Sequence, residues 1–512
     1  MITSEQQAGI RAEHESLPAY LESRLTKQQL SRPLIVSFSQ WEMNTSTVGE
    51  IAANFHHMGL PVTVALWADE TPMRDVGWTT SHRLSRLLLS RARDQRLRRA
   101  LEHYGVPDTA MPKPPLRPWQ PQVPLPEIPR LNRTAIRSLR YRGAEAGRAI
   151  LQVHPDDQTP ITDDHEWPRA WVQACLESFA FAYDQTRELI RQTGSTCIVV
   201  FNGRFLHDAA AASAASAEGL PVLAFDFGGN DTDYDLTVDD THDWSALQTR
   251  MRNLYESWNP EERIEIGRSW FEARRNHADV RNARFVESQV VGQGIDLPQD
   301  KSIVVYFSSS GDEISELDVD WGEYFYGQPG ALEAVAEACR RQQDLYLVVR
   351  THPHKRMKPT RDVEEWHAAV AAARPDLHLD EWSDVDSYTL MDQADVVVTF
   401  GSTTGVEAAY ARKPVIVMGP SAYDELGCAT RVSNASDLKR AVLEGAAGDW
   451  AGALAYGLMM RRRGFVNCYA SSHHEKDHYL GGVRLRDSTS LVLKLSDRWK
   501  RQGQLRLAAR TS

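Results

Sequence analysis

The sequence has few cysteines, no long apolar run and no excess of basic residues. Its five cysteines stand far apart in 512 residues, with no metal-ligand spacing, which favours reduced thiols and predicts neither a metal site nor a cofactor. No apolar run approaches the roughly 20 residues of a membrane helix, and the N-terminus lacks an apolar signal core. The formal net charge of -11 argues against nucleic-acid binding, which usually needs a basic face. We therefore expect a cytoplasmic protein, with at most peripheral contact at the inner face of a membrane.

The composition is that of an ordinary globular protein, with 42% hydrophobic and 25% charged residues. Short apolar runs typical of buried strands alternate with helical stretches, and this predicts parallel α/β sheets. Four such runs fall in the first half of the chain and four in the second: LIVSFS (34–39), VTVALW (62–67), CIVVFN (197–202), VLAFDF (222–227), SIVVYFSS (302–309), LYLVVRTH (345–352), DVVVTFG (395–401) and PVIVMG (414–419). The pattern predicts two doubly wound, Rossmann-like domains with ligands in a crevice at the strand ends.

The predicted domains follow from breaks in this pattern. Residues 1–295 form an N-terminal domain, and the many prolines near 106–130 indicate an extended connector or lid-like insertion. Residues 296–450 form the second Rossmann-like domain. Residues 451–512 form a helical tail that packs back across the domains.

The first motif is the turn in VVVTFGSTTGVEAA (396–409), where a strand meets a helix. The small residues Ser402, Thr403, Thr404 and Gly405 allow an anion to approach the N–H groups that begin the helix, so they form a candidate phosphate site. Glu407 lies in the first turn and could accept hydrogen bonds from a ribose diol. The alternative is an ordinary helix cap by Ser402 or Thr403, with Glu407 favoured by the helix dipole.

Two further motifs end strands of the second half. In VVRTHP, Arg350 is a candidate phosphate ligand, and His352 is a candidate to bind phosphate or protonate a leaving group. In FSSSGDE, Ser309 and Ser310 are candidates to contact a diphosphate or a sugar. The alternative for VVRTHP is a solvated loop.

The first half offers candidates for an acceptor site. Asn202 and Arg204 follow a strand in FNGR and could bind the hydroxyl or carboxylate groups of an acceptor. Asp226, at the end of the next strand, and Glu42, after the first strand, are candidate catalytic bases. Ordinary turns, caps or loop charges are the alternatives for these residues.

The order of these motifs resembles the capsule polysaccharide biosynthesis proteins, which are similar to GT-B glycosyltransferases of bacterial surface polymers. The resemblance covers roughly 130–420 and includes EIGRSWFEARRN (265–276). It implies a GT-B-like fold with two domains facing a central cleft, and metal-independent transfer of a sugar from a nucleotide-activated donor of CMP or UDP type. His352 would contact the donor phosphate, and the acceptor would be a glycan, a lipid-linked or a small molecule, near membrane-bound assembly machinery.

Three other functions remain open from the sequence. A CDP-polyol phosphotransferase would use the same phosphate and ribose residues, and only its donor would differ. A sugar-nucleotide epimerase shares the fold but tends to carry adjacent acidic residues where this chain has Glu407 alone. A non-catalytic homologue would bind nucleotide without turnover.

Overall fold

The computed structural model describes residues 13–14, 16–38, 42–67, 80–107, 119–152, 166–230, 232–238, 243–278, 286–309, 325, 327–357, 360–473 and 477–485. These residues form two compact units. The first contains the described residues before position 239 and from 462 onward, and the second contains those from 243 to 461. Within the described part of the chain, no helix is both long and apolar enough to cross a membrane.

The helices, numbered along the chain, are α1 Leu17–Arg24, α2 Glu42–His57, α3 Thr80–His103, α4 Arg133–Arg137, α5 Ala146–Leu151, α6 Arg169–Thr193, α7 Leu206–Ala217, α8 Trp244–Ser257, α9 Pro260–Arg275, α10 Gln328–Arg340, α11 Thr360–Ala373, α12 Ser387–Gln393, α13 Thr404–Tyr410, α14 Ala435–Glu444 and α15 Trp450–Arg462. A 3-10 helix spans Pro353–Met357.

The strands are β1 Pro33–Ser37, β2 Thr63–Leu66, β3 Cys197–Phe201, β4 Val222–Phe227, β5 Asp233–Val238, β6 Ser302–Phe307, β7 Leu345–Arg350, β8 Leu377–Leu379, β9 Val396–Thr399, β10 Val415–Val417, β11 Thr430–Arg431, β12 Phe465–Val466, β13 Ala470–His473, β14 Asp477–Leu480 and β15 Val483–Arg484.

The second unit contains a parallel sheet in the order β8-β7-β6-β9-β10-β11. Counted from β6, this is the 3-2-1-4-5-6 order of a Rossmann fold, which reverses direction between β6 and β9. The register aligns Phe307 with Arg350 on one side and with Thr399 on the other. The carboxyl ends of three strands therefore lie at one level, where parallel sheets bind ligands.

The first unit contains a sheet in the order β2-β1-β3-β4-β5-β12. Its first four strands are parallel, whereas β5 and β12 are antiparallel to their neighbours. The order reverses between β1 and β3. Both faces of both sheets are covered, because alternate side chains of the central strands enter two separate apolar cores. The predicted α/β class with two doubly wound, Rossmann-like sheets is confirmed.

The units differ from the predicted domains in two places. Helices α8 and α9, assigned from the sequence to the first half, pack with the second sheet through Met251, Leu254, Trp258, Trp270 and Phe271. The buried face of each helix decides this, because a helix joins the unit that covers its apolar stripe.

The predicted helical tail is helical only as far as Arg462. Beyond it, β12 joins the first sheet, and β13, β14 and β15 form a small antiparallel sheet. Glu50 of α2 fixes this segment, because its buried carboxylate accepts hydrogen bonds from the backbone N–H groups of Cys468, Tyr469 and Ala470 at 2.7 Å.

The described part of the proline-rich segment packs on the first core. Ile128 is buried, and Trp119, Val123 and Leu125 pack against the same cluster. Residues 108–118, predicted as part of the insertion, lie outside the described residues. The segment from 119 onward is therefore anchored and is not a detached connector.

Candidate active site

A cavity of about 200 Å³ opens at the switch point of the second sheet. It lies beyond the carboxyl ends of β6, β7 and β9, where doubly wound sheets bind ligands. The residues that line it are Arg274, Val286, Gln289, Phe307, Ser308, Ser309, Arg350, His352, Pro353, Ser387, Tyr388, Ser402, Thr403, Thr404 and Glu407. Seven of the nine residues predicted in the second half stand on this list, and they come from three separate motifs; Gly405 is not among them, and Ser310 lies outside the described residues.

The turn after β9 is held rigidly. Gly401 has φ +80, and a Cβ there would lie 2.1 Å from the carbonyl oxygen of Pro420. Only glycine fits such a position. The Ser402 N–H donates to Thr399 Oγ1 at 3.0 Å, and the Tyr423 hydroxyl donates to the Ser402 carbonyl at 2.5 Å. The residues after Gly401 therefore face the cavity in a fixed conformation.

The hydroxyl groups of this turn have different roles. Ser402 Oγ accepts from the Thr404 N–H at 3.3 Å and lies 3.1 Å from Thr404 Oγ1, as a local cap. Thr403 precedes α13, and its side chain makes no capping hydrogen bond. Gly405 is also tightly placed, since a Cβ there would lie 2.2 Å from the Tyr423 hydroxyl oxygen. Ser402 therefore caps the turn locally as well as lining the cavity, whereas Thr403 lines the cavity without a capping hydrogen bond.

Arg350 has a different geometry from the predicted fork onto phosphate. Both of its terminal nitrogens donate to backbone carbonyls, Nη1 to Asp380 and Nη2 to Ser383 at 3.1 Å. Its Nε is buried and has no hydrogen-bond partner within the described residues. Burial lowers the pKa of the guanidinium to about 10, against the opposing effect of Asp380. Arg350 therefore stays charged at neutral pH, and each of its terminal nitrogens keeps a second N–H group besides the one that a backbone carbonyl accepts.

His352 is oriented by its neighbours. Its backbone N–H donates to Ser308 Oγ at 2.7 Å, and its Nδ1 accepts from the backbone N–H of His354 at 3.1 Å. In a neutral ring whose Nδ1 accepts, the proton lies on Nε2. The 3-10 turn thus selects the tautomer that can donate from Nε2.

The serines after β6 differ from expectation. Ser309 is buried, and its hydroxyl donates to the Phe400 carbonyl at 2.9 Å, which joins the ends of β6 and β9. Ser308, which the sequence did not single out, positions His352. Ser310 lies outside the described residues. The local sequence SSS gives no signal for which hydroxyl faces the core.

Glu407 has an unexpected partner. Its buried carboxylate pairs with Nε of Arg274 on α9, and both side chains line the cavity. Tyr388 lies beside them; burial raises the pKa of its phenol far above the usual range, Glu407 raises it further and Arg274 lowers it, so the hydroxyl stays protonated. Arg274, Gln289 and Tyr388 were all missed from the sequence. The only signal was the helical segment 265–276 that accompanies the resemblance.

The acceptor candidates lie at the carboxyl edge of the first sheet. Asn202 follows β3 with φ +57, and its Nδ2 donates to Oδ2 of Asp226 at 2.9 Å. The guanidinium of Arg204 lies over the ring of Phe205 at 5.3 Å. Glu42 begins α2, and its side chain lies outside the described residues. The structure therefore brings Asn202 and Asp226 into contact.

Comparison with known proteins gives one family match. The model of the family described as capsule polysaccharide biosynthesis protein matches residues 306–443. No curated protein matches the chain. The matched segment contains the end of β6, the strands β7 to β11 and most of the cavity wall.

Solved structures with similar backbones have low identities. KpsC of Thermosulfurimonas dismutans, a beta Kdo 2,4 transferase, is 16% identical with a TM-score of 0.33 and covers 51% of this chain and 78% of its own. UDP-GlcNAc 2-epimerase from Neisseria meningitidis is 10% identical with a TM-score of 0.31 and covers 83% and 97%. MurG of Acinetobacter baumannii is 11% identical with a TM-score of 0.25 and covers 85% and 96%.

These TM-scores are too low to support an argument, so the fold assignment depends on the chain's own two sheets. The family match is independent of them. Over residues 306–443, the chain matches the capsule polysaccharide biosynthesis protein family, as its motifs predict.

Proposed function

We propose that the protein is a glycosyltransferase of capsule or related surface-polysaccharide biosynthesis, which transfers a sugar from a nucleotide-activated donor to a glycan or related acceptor. The observation that carries the proposal is the cavity at the switch point of the second sheet. It combines a buried cation, an oriented histidine and a hydroxyl-lined turn within the segment that matches the family.

The second unit would bind the donor nucleotide. A phosphate in the cavity would accept hydrogen bonds from Arg350 and from His352 Nε2, with Thr403 and Thr404 as further donors. A guanidinium that is fixed in a partly buried site stabilises the negative charge that develops on a leaving nucleotide, because its position does not have to change during the reaction. This supports transfer that does not require a metal ion.

Glu407 would bind the ribose. The carboxylate lies in the cavity wall, and carboxylate oxygens accept hydrogen bonds from neighbouring hydroxyl groups. This role assigns the ribose to the part of the cavity next to Glu407 and the phosphate to the part at the ends of β7 and β9.

The first unit would bind the acceptor through Asn202 and Arg204. Asp226, held by Asn202, is our preferred base to take a proton from the attacking hydroxyl, with Glu42 as the second candidate. A cytoplasmic location, with peripheral attachment to membrane-bound assembly machinery, belongs to this proposal.

The test is a thermal-shift screen of the full chain with CMP, CDP, UDP, GDP and ADP in the presence of a chelator. A nucleotide at 100 times its dissociation constant should stabilise the protein by about 2.7 kcal/mol. His352→Ala should lose most of this stabilisation. His354→Ala is the matched control, because it keeps the backbone N–H that orients His352.

Either of two results would contradict the proposal. One is a wild-type chain whose unfolding temperature no nucleotide changes. The other is equal stabilisation of wild type and His352→Ala. A preference for CDP, with release of CMP on turnover, would identify a polyol phosphotransferase.

A further inference from the structure

The Arg274–Glu407 pair joins two parts of the chain that are 133 residues apart. Arg274 lies in the last turn of α9, outside the segment 306–443 that matches the family. Its side chain is 15% exposed and that of Glu407 is 7% exposed. An ion pair this deeply buried is costly to form unless each charge is fully compensated, so its position in a ligand cavity needs a reason.

The reason that we infer is electrostatic. The proposed donor brings a phosphate into a cavity of about 200 Å³ that already contains the carboxylate of Glu407. Two negative charges at such short range repel each other strongly where water is scarce. With Arg274 bound to one carboxylate oxygen, the pair is nearly neutral, and Glu407 can accept hydrogen bonds from hydroxyl groups without repelling the phosphate.

The scaffold holds Arg274 in this position without help from a ligand. The ring of Phe271 stacks on Tyr410 of α13 with centroids 4.2 Å apart and planes at 3°. The guanidinium of Arg274 lies 4.7 Å from the centroid of the Trp270 ring. The first contact attaches the C-terminal part of α9 to the helix that carries Glu407, and the second holds the Arg274 side chain against its own helix, so the pair is preorganised.

We propose that Arg274 is a positioning residue of the donor site, which neutralises Glu407 so that a ribose-binding carboxylate can share the cavity with a phosphate. This inference rests on the proposed function. The inference adds Arg274, which lies outside the segment that matches the family, to the donor site. Arg274 would act on the ligand indirectly, through Glu407.

The test compares the affinity of the full chain for CMP and for UDP, measured by titration calorimetry, in four variants. Arg274→Met should weaken binding about tenfold or more, the order expected for an uncompensated charge at close range. Adding Glu407→Gln to Arg274→Met should recover part of that loss, because the amide does not repel phosphate. Arg274→Lys, which keeps the charge, should bind nearly as wild type does.

The matched control is Arg275→Met. Arg275 is the next residue of α9 and pairs with Asp392, but both side chains are more than 40% exposed. The substitution Arg275→Met removes the same charge from the same helical turn, and it should leave the affinity for CMP and UDP unchanged. The unfolding temperature of each variant, measured in parallel, separates binding from folding.

The outcomes separate the inference from the proposed function. A wild-type chain that binds neither nucleotide overturns both. Wild-type affinity in Arg274→Met, or equal losses in the lysine and methionine variants with normal unfolding temperatures, overturns the inference alone. A double variant that binds no more tightly than Arg274→Met also overturns it, since Arg274 would then contact the ligand directly.

Discussion

At the carboxyl edges of the two sheets, the paired polar side chains differ in how far apart they stand in the sequence. In the first sheet, Asn202 pairs with Asp226, 24 residues later, and each stands at the end of neighbouring strands. At the edge of the second sheet, Arg274 of α9 pairs with Glu407 of α13, 133 residues later. Helix α9 does not connect two neighbouring strands of this sheet. The first contact follows from strand order, whereas the second depends on how α9 packs.

The two units also bury different ionisable groups. The first unit buries the carboxyl group of Asp208 in α7, and its Oδ1 has no hydrogen-bond partner within the described residues. The second buries the guanidinium of Arg350. A buried cation is suited to hold a phosphate, and a buried carboxyl group is suited to remain protonated. A phosphate site is therefore expected at the second edge.

The largest effect should come from Gly401→Ala, which tests the rigidity of the turn in the second unit. The positive φ and the contact with Pro420 should together cost about 3 kcal/mol or more in the free energy of unfolding. Urea unfolding followed by circular dichroism would measure this. Gly143→Ala in the first unit is the control, because φ is +86 but a Cβ would meet no atom within 4 Å, so a cost of about 1 kcal/mol is expected. Equal losses would contradict the steric account.

Asp226→Asn should separate sugar transfer, which depends on the edge of the first sheet, from nucleotide binding, which depends on the edge of the second. We expect sugar transfer to fall about 100-fold, the usual contribution of a positioned base, with nucleotide affinity unchanged. The amide is nearly isosteric and can still contact Asn202. Initial rates of nucleotide release with a glycan acceptor, together with calorimetric titration, would measure both. Undiminished transfer would show that Asp226 serves only to hold Asn202.

Asp208→Asn should make stability less dependent on pH. Burial raises the pKa of Asp208 to about 8, against two opposing backbone hydrogen bonds. The folded state then binds more protons than the unfolded state between about pH 4 and pH 8, so the free energy of unfolding falls as pH rises through that window. Asp208→Asn should remove roughly 1–3 kcal/mol of this fall. Urea unfolding at several pH values would measure it, and an unchanged slope would contradict the assignment.

The smallest effect should come from Arg275→Met. Its ion pair with Asp392 is exposed, and exposed pairs contribute at most about 0.5–1 kcal/mol to stability. Thermal unfolding at low and at high salt would measure the change. A loss as large as that of Arg274→Met would mean that the two pairs of α9 are not distinguished by burial.

Much of the second site could be predicted because its residues stand in short motifs at strand ends. Gly401, Ser402, His352 and Arg350 each follow an apolar run, and parallel strands bring their carboxyl ends together. The details could not be predicted. Which serine after β6 turns inward depends on the Phe400 carbonyl, which belongs to a different motif. The orientation of the Arg350 guanidinium depends on the carbonyls of Asp380 and Ser383, which no motif contains.

The sequence by itself determined the two doubly wound sheets, because apolar runs that alternate with helical stretches favour parallel strands joined by crossover helices. It also determined which strand ends carry polar residues. Only the tertiary structure decided that α8 and α9 belong to the second unit and that the chain after Arg462 returns to the first sheet. It alone decided that Arg274 pairs with Glu407. The physical reason is that burial and charge pairing depend on distances between segments far apart in the chain, and no local pattern encodes those distances.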